Sequence, residues 1–381
     1  MKSILLILCV SLAWPAYAQS DLSLPKPPVI SAWAYWLGDF QTGQVLARAN
    51  ENRRAEPASL TKLMTAYVVF KTLNDGQLTL TQNLPVSAKA WQAEGSRMFI
   101  NPSTPVTVEE LLHGMIVQSG NDACIALAEG VGGSEENFVR LMNNEARRLG
   151  MKNTHFTNSS GLPDPGHYST AFDISIMAKA LIRDFPEMYP YYSIKEYTYN
   201  SITQANRNRL LWQDAYVDGL KTGHSQSSGF SLVSSAKRGT MRLIAVVLGA
   251  GSDQARAEES QKLLNFGFQQ YTTGRLYRAG QTVAQLTVWR GSNDSVAGGF
   301  ERDLYVTLPR EKQRHVKATL ISRQPLLAPL YKGQKVGTLR LSLANQTIAD
   351  YPVVTLESIG VANIFKRGWD NLKLFFNRLR G

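Results

Sequence analysis

Three short motifs, separated by long stretches of chain, constrain the fold more than any other feature of this sequence. Ser59-Leu60-Thr61-Lys62 opens an apolar helical segment, Ser119-Gly120-Asn121 breaks another, and Lys221-Thr222-Gly223 lies in a strand-like run. The pattern S-x-x-K also occurs at Ser23 and at Ser234, but S-x-N and K-T-G each occur once. A chain that uses these motifs as one site must bring a helix start, a helix break and a strand together.

The first motif has the composition of an activated nucleophile. A serine hydroxyl is a weak nucleophile until a base takes its proton. Lys62 follows Ser59 by three residues, so the two side chains share one face of a helix. A lysine is such a base only when its pKa falls through burial or a second cation, for which Lys221 is the candidate. We expect Ser59 to be the nucleophile and Lys62, or a relay through Ser119, to take its proton.

The second motif supplies polar groups beside the nucleophile. Ser119 is expected to pass a proton toward the leaving group. Asn121 is expected to bind a substrate amide and to orient Lys62. Together with the first motif, these residues predict a catalytic set of Ser59, Lys62, Ser119, Asn121 and Lys221.

The third motif provides a place for an extended substrate. Thr222 and Gly223 are expected to align a peptide by strand addition to an edge strand. One backbone N–H beside Ser59 and another near His224 are expected to form an oxyanion hole, in which each donor contributes ~3 kcal/mol to transition-state stabilisation. The start of a helix also favours negative charge at Ser59.

These motifs, in this order, resemble those of the serine D-Ala-D-Ala carboxypeptidases, which are low-molecular-mass penicillin-binding proteins. The resemblance includes Gln118–Cys124, Leu149–Phe156, Asn206–Asn208, Val217–Gly219 and Lys221–His224. It implies a penicillin-binding/β-lactamase-like catalytic domain that trims the terminal D-alanine from peptidoglycan pentapeptides in the periplasm. It also implies that β-lactam antibiotics acylate the nucleophile and act as covalent inhibitors.

Matching positions add three supporting residues to the site. The resemblance implies that His224, Arg207 and Asp173 contribute to substrate binding, with Arg207 near the substrate carboxylate and Asp173 in a loop beside the site. The sequence departs from the pattern in two places. The loop Trp91–Ile100 is short for the family, and Arg209 stands where glycine is common, so the rim of the site is expected to differ.

The N-terminus predicts a secretory signal peptide over residues 1–18. Lys2 precedes the apolar run Ile4–Trp14, and Ala16-Tyr17-Ala18 forms a small-x-small cleavage site. The alternative is a transmembrane anchor, but about 11 apolar residues are too few for a bilayer that needs ~20. An exported protein does not meet cytoplasmic nucleic acid, so the net charge of +11 favours an anionic membrane or an acidic glycan as partner.

Hydrophobic periodicity predicts an α+β domain from about residue 28 to 275. Strand-like runs at both ends flank a helical middle, and the late runs follow one another closely enough to pair as an antiparallel sheet. The predicted strands are Trp33–Phe40, Gln44–Ala49, Tyr216–Thr222, Gly229–Ala236 and Arg242–Leu248. The predicted helices are Ser59–Leu73, Glu109–Val117, Ala123–Val131, Glu135–Leu149, Phe172–Ile182 and Glu258–Phe268.

A small all-β domain is predicted over residues 276–359. Its short alternating runs are Val283–Val288, Asp303–Leu308, Val316–Ile321, Gly337–Leu343 and Val353–Leu356. It contains no grouped carboxylates, histidines or cysteines, so we expect it to be structural.

Residues 361–381 predict an amphipathic helix. The apolar face holds Val361, Ile364, Phe365, Trp369, Leu372, Phe375, Phe376 and Leu379. The polar face holds Lys366, Arg367, Asp370, Lys373, Asn377, Arg378 and Arg380, with Leu374 as the exception. Five basic residues against one acidic residue favour attachment to the anionic outer surface of the inner membrane. Docking on the β domain is the alternative.

Composition argues against a metal or cofactor enzyme. The chain has two cysteines and five histidines, without the paired spacing of a zinc site. Two cysteines are also too few for a disulfide scaffold. We therefore predict no metal and no cofactor.

Three other functions compete with the carboxypeptidase. A class A β-lactamase uses a Glu between the second and third motifs to activate the deacylating water, but the stretch Gly161–Asp173 has none and the second motif is S-G-N rather than S-D-N. A D,D-endopeptidase would use the same groups to cut cross-links. A non-catalytic glycan- or membrane-binding module would not need Ser59.

Overall fold

The computed structural model describes residues 24–344 and 346–380, so the signal peptide predicted over residues 1–18 lies outside the described residues. The first part of the chain forms β1 (Ala34–Asp39), β2 (Val45–Ala49), α1 (Lys62–Asn74), β3 (Asn83–Leu84), α2 (Ala88–Trp91), β4 (Val106–Thr107), α3 (Val108–Val117), α4 (Asn121–Gly132), α5 (Glu135–Leu149) and α6 (Ala171–Asp184). It continues with β5 (Glu196–Tyr199), β6 (Ile202–Ala205), α7 (Leu210–Gln213), β7 (Val217–Ser225), β8 (Gly229–Arg238), β9 (Met241–Ala250) and α8 (Asp253–Gln270). The last part forms β10 (Tyr271–Tyr277), β11 (Thr282–Trp289), β12 (Ser295–Gly299), β13 (Leu304–Pro309), β14 (Val316–Ser322), β15 (Leu326–Leu327), β16 (Lys335–Leu343), β17 (Gln346–Thr355) and α9 (Ile364–Arg380).

An antiparallel sheet in the order β2-β1-β9-β8-β7 organises the first domain. β9 forms its centre because the strand is almost entirely apolar and is buried on both faces. Leu243, Ala245 and Val247 pack with α8 on one face, while Ile244 and Val246 join the helical core on the other. Among the described strands, β7 pairs only with β8, so it is the edge strand that the third motif requires.

α1 is the central helix of this domain, and its N-terminal end differs from the prediction. A 3₁₀ turn over Ala58–Thr61 precedes it, so the α-helix starts at Lys62 rather than at Ser59. Every residue from Lys62 to Phe70 is buried, not only one apolar stripe. The helices α3, α4, α5 and α6 contact α1 from several sides, which removes water from the base of the site.

The second domain is all-β, and its first strand shifts the domain boundary. A sheet in the order β14-β16-β17-β12-β11-β15 accompanies a β10–β13 pair. Because β10 pairs with β13, the boundary predicted after residue 275 falls within a strand of this domain. The sequence pattern does not predict β12, because Gly298 and Gly299 lower its β-propensity.

α9 contacts the second domain through one stripe of residues. Asp370 is buried, and its carboxylate accepts a hydrogen bond from the backbone N–H of Arg290 at 2.7 Å. Leu374, the exception on the predicted polar face, lines a cavity of about 860 Å³ with Leu286 and Leu327. The apolar face of α9 stays between 47% and 88% exposed at Ile364, Phe365, Trp369, Leu372, Phe375 and Phe376, whereas Val361 forms a β-bridge with Gly291 before the helix begins. The helix therefore docks on the β domain and still presents an apolar face to solvent.

The loop Ser159–His167 crosses the N-terminal end of α1 at very close range. Gly161 has a φ of +84°, and a Cβ at this position would overlap the carbonyl oxygen of Ala58. The same Cβ would lie 2.8 Å from Oγ1 of Thr61. Only a residue without a side chain permits this approach. Gly161 therefore sets the distance between the loop and the turn that carries Ser59.

We predict that Gly161→Ala is more damaging than Gly150→Ala, its matched control. Gly150 has a φ of +85°, and a Cβ there would meet no atom within 4 Å. Both variants lose about 1–2 kcal/mol from the left-handed backbone, and overlap adds about 1–3 kcal/mol at residue 161 alone. Urea unfolding measures the difference in free energy of unfolding. Equal losses in the two variants would contradict the close approach.

Candidate active site

Ser59 and Lys62 meet because a 3₁₀ turn places them one above the other. Residues three apart eclipse in a 3₁₀ helix, and Lys62 Nζ lies 3.1 Å from Ser59 Oγ. The turn follows Pro57 and a residue in a left-handed conformation, Ala58 with a φ of +46°. The sequence predicts this pairing, although through an α-helix rather than a 3₁₀ turn.

Lys62 is held by acceptors that suit a neutral amine. Its Nζ donates to Oδ1 of Asn121 at 2.6 Å and to the carbonyl oxygen of Ser160 at 2.6 Å. A neutral amine has two N–H bonds, and these two acceptors use both of them. Its lone pair is then available on the side of Ser59 Oγ. The geometry therefore allows Lys62 to accept the serine proton.

The environment of Lys62 favours that neutral form. The side chain is 1% exposed, and burial lowers the pKa of its ammonium group to about 8. Arg207 adds a smaller lowering effect on the pKa, while Cys124 and Asp122 oppose it. A pKa near 8 leaves a useful fraction of the amine neutral at neutral pH.

The second motif is anchored by the loop Trp91–Ile100, which the sequence predicts only as part of the rim of the site. Asn121 Nδ2 donates to the carbonyl oxygen of Glu94 at 2.6 Å, and Asn121 N donates to that of Ser96 at 2.6 Å. The side-chain amide of Asn121 is thus fixed at both ends, with its Oδ1 against Lys62 Nζ. In this arrangement Nδ2 is occupied by Glu94 rather than open to substrate. Ser119, with a φ of +63°, lines the same cavity as Ser59.

Asp122 holds this loop in place, although no sequence motif marks it for this role. The buried carboxylate accepts hydrogen bonds from the backbone N–H groups of Met98, Phe99 and Ile100 at 3.0, 2.8 and 3.3 Å. Its position in the first turn of α4 is ordinary for an acidic residue. The sequence therefore offers no signal that it also organises the loop Trp91–Ile100.

Lys221 is a second buried lysine in the site. It is 3% exposed, and burial, followed by the charge of Lys62, lowers its pKa well below the ordinary value. Thr222 is also buried and lines a cavity with Ser59. Gly223 is required because a Cβ there would lie 2.9 Å from the carbonyl oxygen of Pro57. The third motif thus packs directly against the turn that carries Ser59.

Three arginines line a cavity of about 480 Å³ on one side of Ser59. Arg207 is exposed in this cavity, on a loop braced by hydrogen bonds within Asn206–Leu210. Arg209, the predicted departure at the rim, forms an ion pair with Asp253. Arg256 also pairs with Asp253 and donates to the carbonyl oxygen of Gly223 at 3.0 Å. The sequence gives no motif for Arg256, because it is an isolated residue on the helix that covers the sheet.

A second cavity, of about 470 Å³, opens on the other side of Ser59. His224 lines both cavities and stacks on Phe230 with ring centroids 4.0 Å apart. The second cavity has no arginine or lysine among its described lining residues: Glu56, Ala58, Ser59, Gly95, Ser96, Asn121, Ser160, Gly161, Leu162, Pro163, His224, Ser225, Gln226 and Ser227. Ser59 therefore lies between a basic cavity and an acidic one.

Asp173 does not line either cavity, contrary to its predicted role in substrate binding. Its carboxylate accepts hydrogen bonds from the backbone N–H of Asn153 at 2.7 Å and from Thr154 Oγ1 at 2.8 Å. Burial raises the pKa of this carboxyl group. Asp173 lies in the first turn of α6, after Thr170 as N-cap, so its hydrogen bonds brace a loop.

The surroundings of His167 and Cys124 indicate structural roles. Nδ1 of His167 accepts from the backbone N–H of Thr157 at 3.1 Å, so Nε2 carries the proton and donates to Thr61 Oγ1 at 2.8 Å. Burial lowers the pKa of His167 to about 4 and raises that of Cys124 to about 11. Within the part of the chain that the structure describes, no cluster of His, Cys, Asp or Glu is arranged to hold a metal ion.

Comparison with known proteins identifies the family. The model of peptidase S11, described as D-alanyl-D-alanine carboxypeptidase, matches residues 22–252, and the model of the C-terminal domain of penicillin-binding protein 5 matches residues 271–360. The chain is 41% identical over 362 residues to the D-alanyl-D-alanine carboxypeptidase DacD of Salmonella typhimurium, covering 93% of each chain. It is 40% identical over 386 residues to DacA of Escherichia coli K12, covering 98% of this chain and 96% of the relative.

A solved structure agrees with these matches. Crystal structures of penicillin binding protein 5 from Haemophilus influenzae match with a TM-score of 0.85 at 41% identity, covering 88% of this chain and 99% of that chain. The chain belongs to the peptidase S11 family of D-alanyl-D-alanine carboxypeptidases. The predicted family, the serine carboxypeptidase class and the penicillin-binding-like domain followed by an all-β domain are confirmed.

Proposed function

We propose that this enzyme is a periplasmic D,D-carboxypeptidase that removes the terminal D-alanine from peptidoglycan pentapeptide stems through an acyl-Ser59 intermediate. The proposal rests on the position of Lys62 Nζ. This atom lies 3.1 Å from Ser59 Oγ and donates its two other hydrogen bonds to Asn121 and Ser160. A base in this position can remove the hydroxyl proton while the oxygen attacks a carbonyl carbon.

Each step follows from a group in the site. Ser59 Oγ attacks the carbonyl carbon of the penultimate D-alanine, and its proton passes to Lys62 Nζ. Backbone N–H groups of Ser59 and His224 stabilise the oxyanion. The C–N bond then breaks, and the proton held by Lys62 passes through Ser119 to the leaving amine, beside the buried side chain of Lys221. Water hydrolyses the ester and regenerates Ser59.

The basic cavity suits the carboxylate of the leaving D-alanine. Arg207 and Arg256 line it together with Thr222, a hydroxyl donor on the edge strand. Guanidinium groups bind carboxylates with geometric specificity. A free carboxyl terminus is the feature that separates the substrate of a carboxypeptidase from an internal peptide bond, so this cavity supports removal of a terminal residue.

The same nucleophile is expected to react with β-lactam antibiotics, whose strained amide is attacked like the peptide carbonyl. The loop Ser159–His167 presents a carbonyl oxygen, that of Ser160, to Lys62, and a carbonyl oxygen is not a base that activates water. The stretch Gly161–Asp173 contains no glutamate to activate water. These features favour a penicillin-trapped carboxypeptidase over a β-lactamase.

We predict that Ser59→Ala abolishes both loss of D-alanine from a muropeptide pentapeptide and the covalent penicillin adduct. The reason is that the acyl acceptor is absent, and product masses with tryptic mapping of the adduct measure both effects. Ser234→Ala, in the unrelated S-x-x-K sequence, is the control that should keep both activities. Persistent D-alanine release in Ser59→Ala would refute the mechanism, and preferential cutting of cross-linked dimers would indicate an endopeptidase.

We predict that penicillin acylation accelerates with pH up to about 8. Only the neutral amine of Lys62, with a pKa of about 8, accepts the proton, so the second-order rate constant should rise about tenfold from pH 6 to 7 and level off above pH 8. Asn121→Asp puts a carboxylate beside Nζ, which raises the pKa and moves the rise to higher pH. Stopped-flow acylation measures both profiles. A rate that is flat or falling between pH 6 and 8 would exclude Lys62 as the base.

The C-terminal helix is proposed to hold the enzyme on the anionic outer face of the inner membrane. Among the described residues, no helix has the length and apolarity to cross a bilayer. α9 instead exposes Phe365 and Trp369, at 88% and 60%, beside basic residues. Asp370, its one acidic residue, is turned into the β domain and does not oppose an anionic surface. This arrangement is typical of an interfacial helix.

We predict that Phe365→Gln with Trp369→Gln releases the protein from vesicles of anionic phospholipid. Each side chain contributes about 1.5–3 kcal/mol when buried, so co-sedimentation should fall at least about tenfold while turnover of a soluble peptide persists. Trp212→Gln removes an aromatic side chain of 46% exposure from the catalytic domain and should leave binding unchanged. If the double variant sediments like wild type, the helix is not the anchor.

A further inference from the structure

The two cavities beside Ser59 carry opposite charge, and the acidic one has no role in the steps above. Arg207, Arg209 and Arg256 line the basic cavity. Glu56 is the carboxylate of the other cavity, which is otherwise lined by hydroxyl, amide and small apolar groups. A charge difference across one reacting serine orients a substrate that carries both a negative and a positive group.

The acidic cavity is on the side that receives the acyl part of the substrate. If the carboxylate of the leaving D-alanine lies among the arginines, the chain that precedes the scissile bond extends away from them. β7 is an edge strand, so a peptide can align along it past His224, which lines both cavities. The residue before the penultimate D-alanine therefore meets the loop Ser225–Ser228 and Glu56.

Glu56 is fixed in place before any substrate arrives. Ser225 Oγ donates to Glu56 Oε2 at 2.7 Å, and Ser227 Oγ donates to the same oxygen. Ser225 Oγ in turn accepts from the backbone N–H of Ser228 at 3.1 Å. On the other side, the preceding residue, Ala55, pairs with Ser169 through backbone hydrogen bonds of 2.9 and 3.0 Å. Two serine hydroxyls therefore hold the carboxylate, and backbone hydrogen bonds to a different segment hold the chain beside it.

The charge of Glu56 is uncompensated within the described structure. None of the ion pairs among the described residues involves Glu56, whereas Asp253 in the basic cavity pairs with Arg209 and Arg256. Glu56 precedes Ser59 by three residues, which limits the separation of their Cα atoms to about 11 Å. This separation is within reach of a long side chain on the residue adjacent to the acylated D-alanine.

We propose that Glu56 forms a subsite for the side-chain ammonium group of a diamino acid that precedes D-Ala-D-Ala in the substrate. The subsite rests on the proposed carboxypeptidase function and defines its substrate class more narrowly. An ammonium group donates to the carboxylate and to the nearby hydroxyl oxygens of Ser225 and Ser227. An acetylated amine loses the charge, and an acidic side chain is repelled.

The first experiment changes only the peptide. Wild-type enzyme is given Nα-acetyl-L-Lys-D-Ala-D-Ala, its Nε-acetylated form and its Nε-succinylated form, and kcat/KM is measured by D-alanine release. A hydrogen-bonded charge pair in a half-exposed cavity predicts about tenfold higher kcat/KM for the free ammonium than for the acetylated peptide. The succinylated peptide is expected to be the slowest of the three.

The second experiment changes the carboxylate. Glu56→Gln keeps acceptor and donor groups but removes the charge, so the ratio between free and acetylated peptides should fall to about one. Glu196→Gln, an exposed residue outside both cavities, has the same change in charge and should keep the wild-type ratio. Titration with labelled benzylpenicillin counts active sites, so the ratio is independent of any misfolded fraction.

The possible results distinguish failure of the Glu56 subsite from failure of the proposed carboxypeptidase function. Equal kcat/KM for free and acetylated peptides in wild type, or an unchanged ratio in Glu56→Gln, would overturn the subsite while carboxypeptidase activity stands. No release of D-alanine from any peptide by wild type would overturn the proposed function and the subsite with it. If Glu56→Gln does not fold, the order of the three peptides in wild type still decides the question.

Discussion

The burial of two ammonium groups next to each other is the constraint on which this active site depends. Lys62 and Lys221 are 1% and 3% exposed, and the charge of Lys62 adds to burial in lowering the pKa of Lys221. A charged group without water is costly, so the protein favours a neutral form. Lys62 has acceptors for two N–H bonds in Asn121 and Ser160, which makes the neutral amine the better-satisfied species. In the proposed mechanism, burial thus produces a base from a residue that is ordinarily protonated.

Keeping these side chains together requires backbone conformations that are unfavourable by themselves. Ser119 and Ala58 both have positive φ, at 63° and 46°. Such residues persist only where surrounding contacts determine them. Asp122 supplies such contacts by binding three consecutive backbone N–H groups of the neighbouring loop, and Gly161 does so by allowing the opposite loop to approach Ala58. Residues outside the motifs therefore carry much of the geometry.

The sequence predicts the residues of the three motifs better than the residues that line the cavities around them. The motifs are local patterns, so Ser59, Lys62 and the edge strand can be predicted from spacing and periodicity. Arg256 cannot, because its role depends on the position of α8 against the sheet and not on its neighbours in the chain. Asp173 is the opposite case. The resemblance to the family implies a role in substrate binding, whereas in the structure its hydrogen bonds brace a loop. Burial on every side of α1 is likewise a product of tertiary packing.

The opposite charges of the two cavities constrain how a peptide can bind. A stem that ends in a carboxylate and carries an ammonium side chain has one orientation in which both groups meet an opposite charge. Reversing it would place the carboxylate beside Glu56 and the ammonium beside Arg207 and Arg256, and both contacts would be repulsive. The orientation that remains presents the terminal D-Ala-D-Ala bond to Ser59. If the proposed subsite is correct, selection of the scissile bond follows from repulsion in the wrong orientation as well as from attraction in the right one.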